Sequence, residues 1–380
     1  SRSEFLPSFS LSGSVDGSQL TNRTNSAGQS LQDQGTDTET KSISIDQKIF
    51  QGFEGYNSLK KSQLEVEKAT YQLKNVEQNT IYETADAYFD YIYRSKNKGI
   101  NFSNVNLFER QVESDSARVQ KGEITLTDLA QSESSLAGAR ANFITAENEL
   151  LTSKTNFERI VGVKAPEVLD TNLNIKLNLP SSLNEALAIS EKNNLKLLSA
   201  KIDYEISKKE VSISKAQFSP SASINYSKSE SKDFSTTVDK TDKESVKATI
   251  TWPLIKGGKN YSSIKKSKFK EEQSKLILDN IKNEVRTDTA NAWSLYQSTK
   301  SVLNSTRAQV EAAEIANEGI SLEYDSGNTR TTLDVIQSRS LLLNARIANS
   351  KAEKDFIVSK FKLISVLGNL SFVSLKNSVN

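Results

Sequence analysis

Residues 50–62 read FQGFEGYNSLKKS and residues 255–267 read IKGGKNYSSIKKS. At an offset of 205, Gly52 matches Gly257, Tyr56 matches Tyr261, Ser58 matches Ser263, and Lys60-Lys61-Ser62 match Lys265-Lys266-Ser267. The register continues with TADAYF (84–89) against TANAWS (289–294) and Gly122 against Gly327. After one inserted residue the offset is 206, pairing Thr125 with Thr331, Asp128 with Asp334, Gln131 with Gln337, Ser132 with Ser338 and Gly162 with Gly368. One register held over more than a hundred residues means two copies of one unit, so the fold must itself be repeated.

Both copies run in the same order. A proline opens an alternating stretch (LPSFSLSGSV, SPSASINYS), and a polar loop follows at about 19–38 and 233–244. A second alternating stretch (KSISIDQKIF, ESVKATITWPLI) leads to the Gly turn. Period-two alternation predicts strands with one apolar and one hydroxyl face. Phe9, Leu11, Gly13 and Val15 oppose Ser8, Ser10, Ser12 and Ser14. In the last strand Val246, Ala248, Ile250, Trp252 and Leu254 oppose Ser245, Lys247, Thr249 and Thr251.

The segments at about 56–119 and 261–325 contain no Pro and one Gly each, Gly99 and Gly319. Each predicts a helix approaching ~95 Å at about 1.5 Å per residue. Leu59, Val66, Ala69, Leu73 and Val76, and likewise Leu278, Ile281 and Val285, are spaced as coiled-coil seams, too narrow for one helix to bury alone. A turn and a second helix close each copy. The second copy also opens with a predicted helix at 183–219, whereas only SRSEFL precedes Pro7. A matching helix is therefore expected ahead of Ser1, and the lack of Met suggests a processed or trimmed chain.

Composition removes several chemistries. The 380 residues contain no Cys and no His, which excludes disulfides, cysteine nucleophiles, Ser-His-Asp catalysis and the usual zinc sites. No cofactor, no metal and no enzymatic activity are expected. Lys+Arg 49 against Asp+Glu 47 are interspersed, giving no basic face for nucleic acid. No apolar run reaches the roughly 18 residues of a membrane helix. Membrane β-strands escape that test, because each alternates. Four strands cannot close a barrel, whose smallest membrane forms need about eight, and lipid forbids open edges. If these strands enter a membrane, several chains must supply one barrel with a polar lumen.

The layout resembles the outer-membrane efflux protein family, the TolC-like channels. The resemblance rests on LNEALAISEKNN (183–194), SKAQFSPSASI (214–224), WPLIKGG (252–258), YDSGNTRTTLDVIQS (324–338) and KLISVLG (362–368), in order and duplicated. It implies an α+β membrane protein: a homotrimer with four strands per chain in one 12-stranded barrel, long helices forming a periplasmic α-barrel, and a small equatorial domain. On this reading 1–54 and 220–258 are the two β-hairpins, and 55–162 and 259–367 the two helix pairs. Residues 183–219 form the extra helix, and 163–182 and 368–380 are equatorial. The implied location is the bacterial outer membrane, reaching into the periplasm. The implied partners are membrane lipid, a periplasmic adaptor (membrane fusion) protein and an inner-membrane transporter of RND, ABC or MFS type.

In that family the two turns line the closed periplasmic tip. Matching by motif places Asp128 and Asp334 near the constriction, with Tyr324 and Arg330 as gating-bond partners. Three chains would gather a carboxylate ring favouring cations. Where some members carry a second acid one helical turn after the Asp334 position, this chain has Gln337, and Gln131 in the other copy, which weakens that charge. Trp252 and Phe50 are candidate membrane-interface aromatics.

Each residue also has a plainer reading. Asp128 and Asp334 could cap helix starts, Arg330 could be a solvated turn residue, and Tyr324, Trp252 and Phe50 could simply pack. Glu113 and Asp115 read as a charged helical face. A different function class, a secreted self-assembling helical protein of the flagellin type, also fits a Cys-free, Ser/Asn/Ala-rich chain.

Overall fold

A computed structural model describes residues 2–32, 34–169, 177–235, 238–326 and 330–372. Strands β1 (Ser8–Leu20), β4 (Gln34–Gln51), β5 (Ser221–Ser235) and β6 (Val238–Thr251) form an antiparallel sheet in the order β1-β4-β5-β6. A small hairpin of β2 (Arg23–Thr24) and β3 (Ser30–Leu31) joins β1 to β4. The helices are α1 (Glu54–Gln120), α2 (Leu126–Val161), α3 (Leu183–Asn193), α4 (Leu195–Ala216), α5 (Lys259–Asp325) and α6 (Thr332–Val366). No described helix is long and apolar enough to cross a membrane.

Contacts divide the chain into two compact units, Ser1–Thr70 with Ser199–Asp279, and Tyr71–Leu198 with Asn280–Asn380. The first contains the sheet. Phe9, Ile45, Tyr226 and Val246 form one cross-strand row, and Leu11 and Ile43 continue the face. A bulge between Lys48 and Phe50 returns Phe50 to this face, opposite Ala222, which pairs with Ile250. From the Ala222 row to the Tyr226 row is about 13 Å at about 3.3 Å per residue, and the next row on this face sets Lys228 and Glu244 beside Leu11 and Ile43. The other face is a hydroxyl ladder: Ser10–Ser44 and Ser12–Ser42 are each 2.8 Å apart, Thr40–Ser231 3.1 Å and Ser227–Ser245 2.9 Å.

Beyond the apolar rows the strands continue where polar loops were expected. The loop expected at 19–38 shrinks, because β1 runs to Leu20 and β4 begins at Gln34; most of 233–244 belongs to β5 and β6. Cross-strand charge supports this extension, with the Lys240 ammonium 2.9 Å from Glu230. At the other end β6 stops at Thr251, leaving Trp252 and Leu254 just outside it.

Gly52 and its repeat partner Gly257 both adopt left-handed φ, 59° and 53°. At Gly52 an added Cβ would stand 2.2 Å from the Ser219 Cβ, so both conformation and contact demand glycine. Below the sheet, α4 lies on α1 through Lys61–Glu210 (2.8 Å) and Lys68–Asp203 (2.7 Å). The expected seam splits in two. Val285 is buried, whereas Val66, Leu73 and Val76 on α1 remain exposed within the chain.

The second unit packs Phe89, Ile92, Phe361, Ile364 and Leu370 into one core cluster and Val105, Phe108 and Ala139 into another. The single helix expected over 183–219 is two helices. Asn194 has extended backbone, its Oδ1 accepts from the Leu197 N–H (3.0 Å), and its amide donates to the Val366 carbonyl (2.8 Å). One asparagine thus ends α3 and caps α4.

Candidate functional site at the helix turns

The α1–α2 and α5–α6 turns are built alike. Gly122 ends α1 in left-handed conformation (φ 75°), its N–H donating to the Val119 carbonyl at 2.9 Å. Its repeat partner Gly327 lies outside the described residues. Thr125 then caps α2: its hydroxyl accepts from the Asp128 N–H (3.3 Å), and Asp128 Oδ2 accepts from the Thr125 N–H (3.0 Å) and hydroxyl (2.8 Å). Thr331 and Asp334 repeat the capping box on α6 at 3.3, 2.8 and 2.9 Å. The plainer reading of both aspartates is therefore realised, and each carboxylate is engaged with its own N-cap. The Asp334 carboxyl is held below its usual range, first by the Thr331 N–H and then by the Thr331 hydroxyl.

Each turn is also spanned by one ion pair. Arg330 Nε donates to Glu323 Oε2 at 2.6 Å, and that bond holds the guanidinium charged. In the first copy Arg118 Nε lies 3.3 Å from Glu123 Oε2. Arg118 and Glu323 are repeat partners at the 205 offset, so the two pairs have opposite polarity. Gln131 and Gln337 are exposed.

Tyr324 is 4% exposed. Its hydroxyl lies 2.8 Å from Asp115 Oδ1, to which it donates, and 3.1 Å from Thr332 Oγ1; the Arg118 guanidinium sits 4.5 Å from its ring centroid. Burial pushes the Tyr324 phenol up, and the Asp115 bond adds to that, against opposing contributions from Thr332 and Arg118. Asp115 is fully buried, at 0% exposure. It accepts further bonds from Gln111 Nε2 (2.9 Å) and Ser132 Oγ (2.5 Å). The expectation that Asp115 lies on a charged surface face is therefore corrected; Glu113 alone is exposed there. Val105, Phe108, Val112, Asp115 and Val119 step by three and four, and that seam spacing was the missed signal. A carboxylate at a seam position buries itself, and here donors from α1, α2 and α5 satisfy it.

Tyr324 is thus brought to Asp115 and Thr332, and Arg330 to Glu323. Asp128 and Asp334 stay within their own caps. These contacts join the ends of α1, α2, α5 and α6 by hydrogen bonds. Trp252 and Phe50 belong to the other unit. Both are exposed; Trp252 Nε1 donates to the Phe218 carbonyl at 3.1 Å, and Phe50 meets Phe53 edge-on at 5.7 Å.

The outer membrane efflux protein family model matches residues 1–163 and 186–369. The outer membrane efflux protein BepC of Brucella suis is 27% identical over 335 residues, covering 88% of this chain and 73% of BepC. The outer membrane protein TolC of Vibrio cholerae is 24% identical, covering 98% of this chain and 84% of its own length. Among solved structures, the outer membrane protein VceC of Vibrio cholerae shares the fold at a TM-score of 0.81 and 18% identity, over 97% of this chain and 88% of VceC. With its duplicated hairpins and paired long helices matched nearly end to end, the chain belongs to the outer membrane efflux protein family, channel proteins of the bacterial outer membrane.

Proposed function

We propose that three copies of this chain assemble into one passive export duct. The duct takes substrates from an inner-membrane RND, ABC or MFS transporter, through a periplasmic adaptor, and releases them outside in efflux or type I secretion. The observation that carries this reading is the sheet. It has two open edges, β1 and β6, one largely apolar face and a hydroxyl face behind it. Lipid excludes open edges, and membrane barrels carry an apolar band of about 25 Å, so twelve strands from three chains close what four cannot. Phe50 and Trp252 then mark the membrane interface. Exposed Val66, Leu73 and Val76 gain partners on neighbouring chains.

The helix turns are the gate on this reading. The Tyr324–Asp115–Ser132 bonds and the Arg330–Glu323 pair hold the resting tip, and Asp128 and Asp334 set the charge at its mouth. Segments 163–182 and 368–380 are equatorial. Mass measurement of the detergent-solubilised protein, with electron microscopy, is the test: three copies around one channel are expected, and a stable monomer retaining its full β content overturns the reading.

A further inference from the structure

A cavity of about 540 Å³ opens among α1, α5 and α6, within the helical unit. That volume lies in the range of small-molecule sites, roughly 300–1,000 Å³. Its lining includes the apolar side chains Phe89, Ile92 and Ile357, and five cations against one carboxylate, Glu353. Two of the cations are neutralised locally: Lys96 pairs with Glu353 at 2.8 Å, and Lys354 with Asp90 at 3.3 Å. Lys300, Arg307 and Lys360 have no carboxylate partner among the described residues. Burial, and then the nearby Lys300, pull the Lys360 ammonium below its usual value, and Lys360 rests over the Phe356 ring at 4.2 Å from its centroid.

A second observation comes from a neutral group. Ser350 lines the same cavity, is 6% exposed, and its hydroxyl finds no hydrogen-bond partner among the described residues. Buried hydroxyls are rarely left so, because desolvation without a partner costs roughly 1–3 kcal/mol. The repeat supplies an internal comparison. At the corresponding offsets the first copy has Ser95 for Lys300, Phe102 for Arg307 and Ile144 for Ser350. Packing of the helix pair does not call for these polar groups, since the other copy does without them.

We infer that this cavity binds an organic anion with an apolar body, its charge held by Lys300, Arg307 and Lys360, its body against Phe89, Ile92 and Ile357, and one oxygen on the Ser350 hydroxyl. An anion answers three like charges on one cavity, and an apolar body uses the apolar part of the lining.

The test uses 1-naphthalenesulfonate, titrated calorimetrically into the assembled protein in non-ionic detergent against a detergent-only blank. Saturable binding at one site per chain is expected. Lys300→Gln and Arg307→Gln each weaken it about tenfold, as expected for loss of one charge-assisted bond. Inorganic sulfate and 1-naphthylmethylammonium do not saturate. Equal affinity in the Lys300→Gln/Arg307→Gln double variant, or equal binding of sulfate or of the ammonium compound, overturns the inference. Should that double variant fail to assemble, Lys360→Met and Ser350→Ala carry the same test. Both weaken binding if the site is as described, and unchanged affinity in both overturns it.

Discussion

The Tyr324 hydroxyl donates to Asp115 Oδ1 at 2.8 Å, tying α5 to α1, while the other Asp115 oxygen accepts from Ser132 of α2. The duplication does not repeat this bond. The offset places Val119 opposite Tyr324 and Ile320 opposite Asp115. Among the described residues this bond therefore occurs in one place, on a seam whose other members Val105, Phe108, Val112 and Val119 are apolar. Tyr324→Phe keeps the ring but removes the hydroxyl from Asp115 and Thr332, costing about 1–3 kcal/mol for a buried charged acceptor left short of a donor. Hydrogen exchange should quicken at the ends of α1 and α5 with α2 and α6 starting intact. Unchanged exchange there would mean the bond is incidental.

The Asp334 cap makes a pH prediction. Its carboxyl is held below the usual range by the Thr331 N–H and hydroxyl. A depressed folded value gives stability that is fully present above the unfolded value, near about 4, and lost as pH falls through the folded value. Exchange in the first turn of α6 should therefore rise only as the pH drops below about 4, and Asp334→Asn should flatten that rise. Thr331→Ala should loosen the same turn by about 1 kcal/mol at neutral pH.

Where side-chain period alone decides a structure, the sequence was readable. The serine alternation of 8–14 produced the hydroxyl ladder, and the Pro-free stretches produced α1 and α5. The Gly turn was visible because it recurs, and Gly52 and Gly257 share one conformation. What stayed hidden depends on partners distant in sequence. Asn194 breaks a helix because Val366 offers a carbonyl, and Asp115 buries itself because Tyr324 stands 209 residues away. The strands ran on to Ser235 and resumed at Val238, where composition reads loop, and Glu230 meets Lys240 across the pair.

Exposed apolar residues on α1 predict assembly. Val66, Leu73 and Val76 face no core of their own chain. Leu73→Glu should lower the trimer fraction in detergent, because a charge at a helix seam has no partner there. Strand content should fall together with the trimer, since the sheet edges β1 and β6 close only against neighbouring chains. A trimer as stable as the parent would place the chain contacts elsewhere.

The hairpin ends predict orientation. Asn25, in the β2–β3 turn, is polar and half-buried, and Asp239, near the start of β6, is polar and exposed. Cysteines placed at either position, in a chain with none of its own, should be labelled by an impermeant maleimide on intact cells. Protection at both would invert the proposed direction.

The last prediction separates latch from charge at the gate. Arg330 binds Glu323 across the α5–α6 turn, whereas Asp128 and Asp334 are held in caps on the far side of their threonines. The two sets have different hydrogen-bond partners, and only a weaker charge interaction links Arg330 to Asp334. Arg330→Ser should release the turn and raise single-channel conductance in planar bilayers, leaving ion selectivity mostly intact. Glu323→Gln should act in the same direction but more weakly, because a neutral amide oxygen can still accept from the guanidinium. Asp128→Asn with Asp334→Asn should do the reverse, lowering cation preference with a smaller change in conductance, since a ring of one sign sets selectivity. Asparagine is itself a good N-terminal capping residue, so the helices should survive that exchange. If Arg330→Ser leaves conductance unchanged and the double aspartate variant keeps its selectivity, these turns are caps alone and the gate lies elsewhere in the tube.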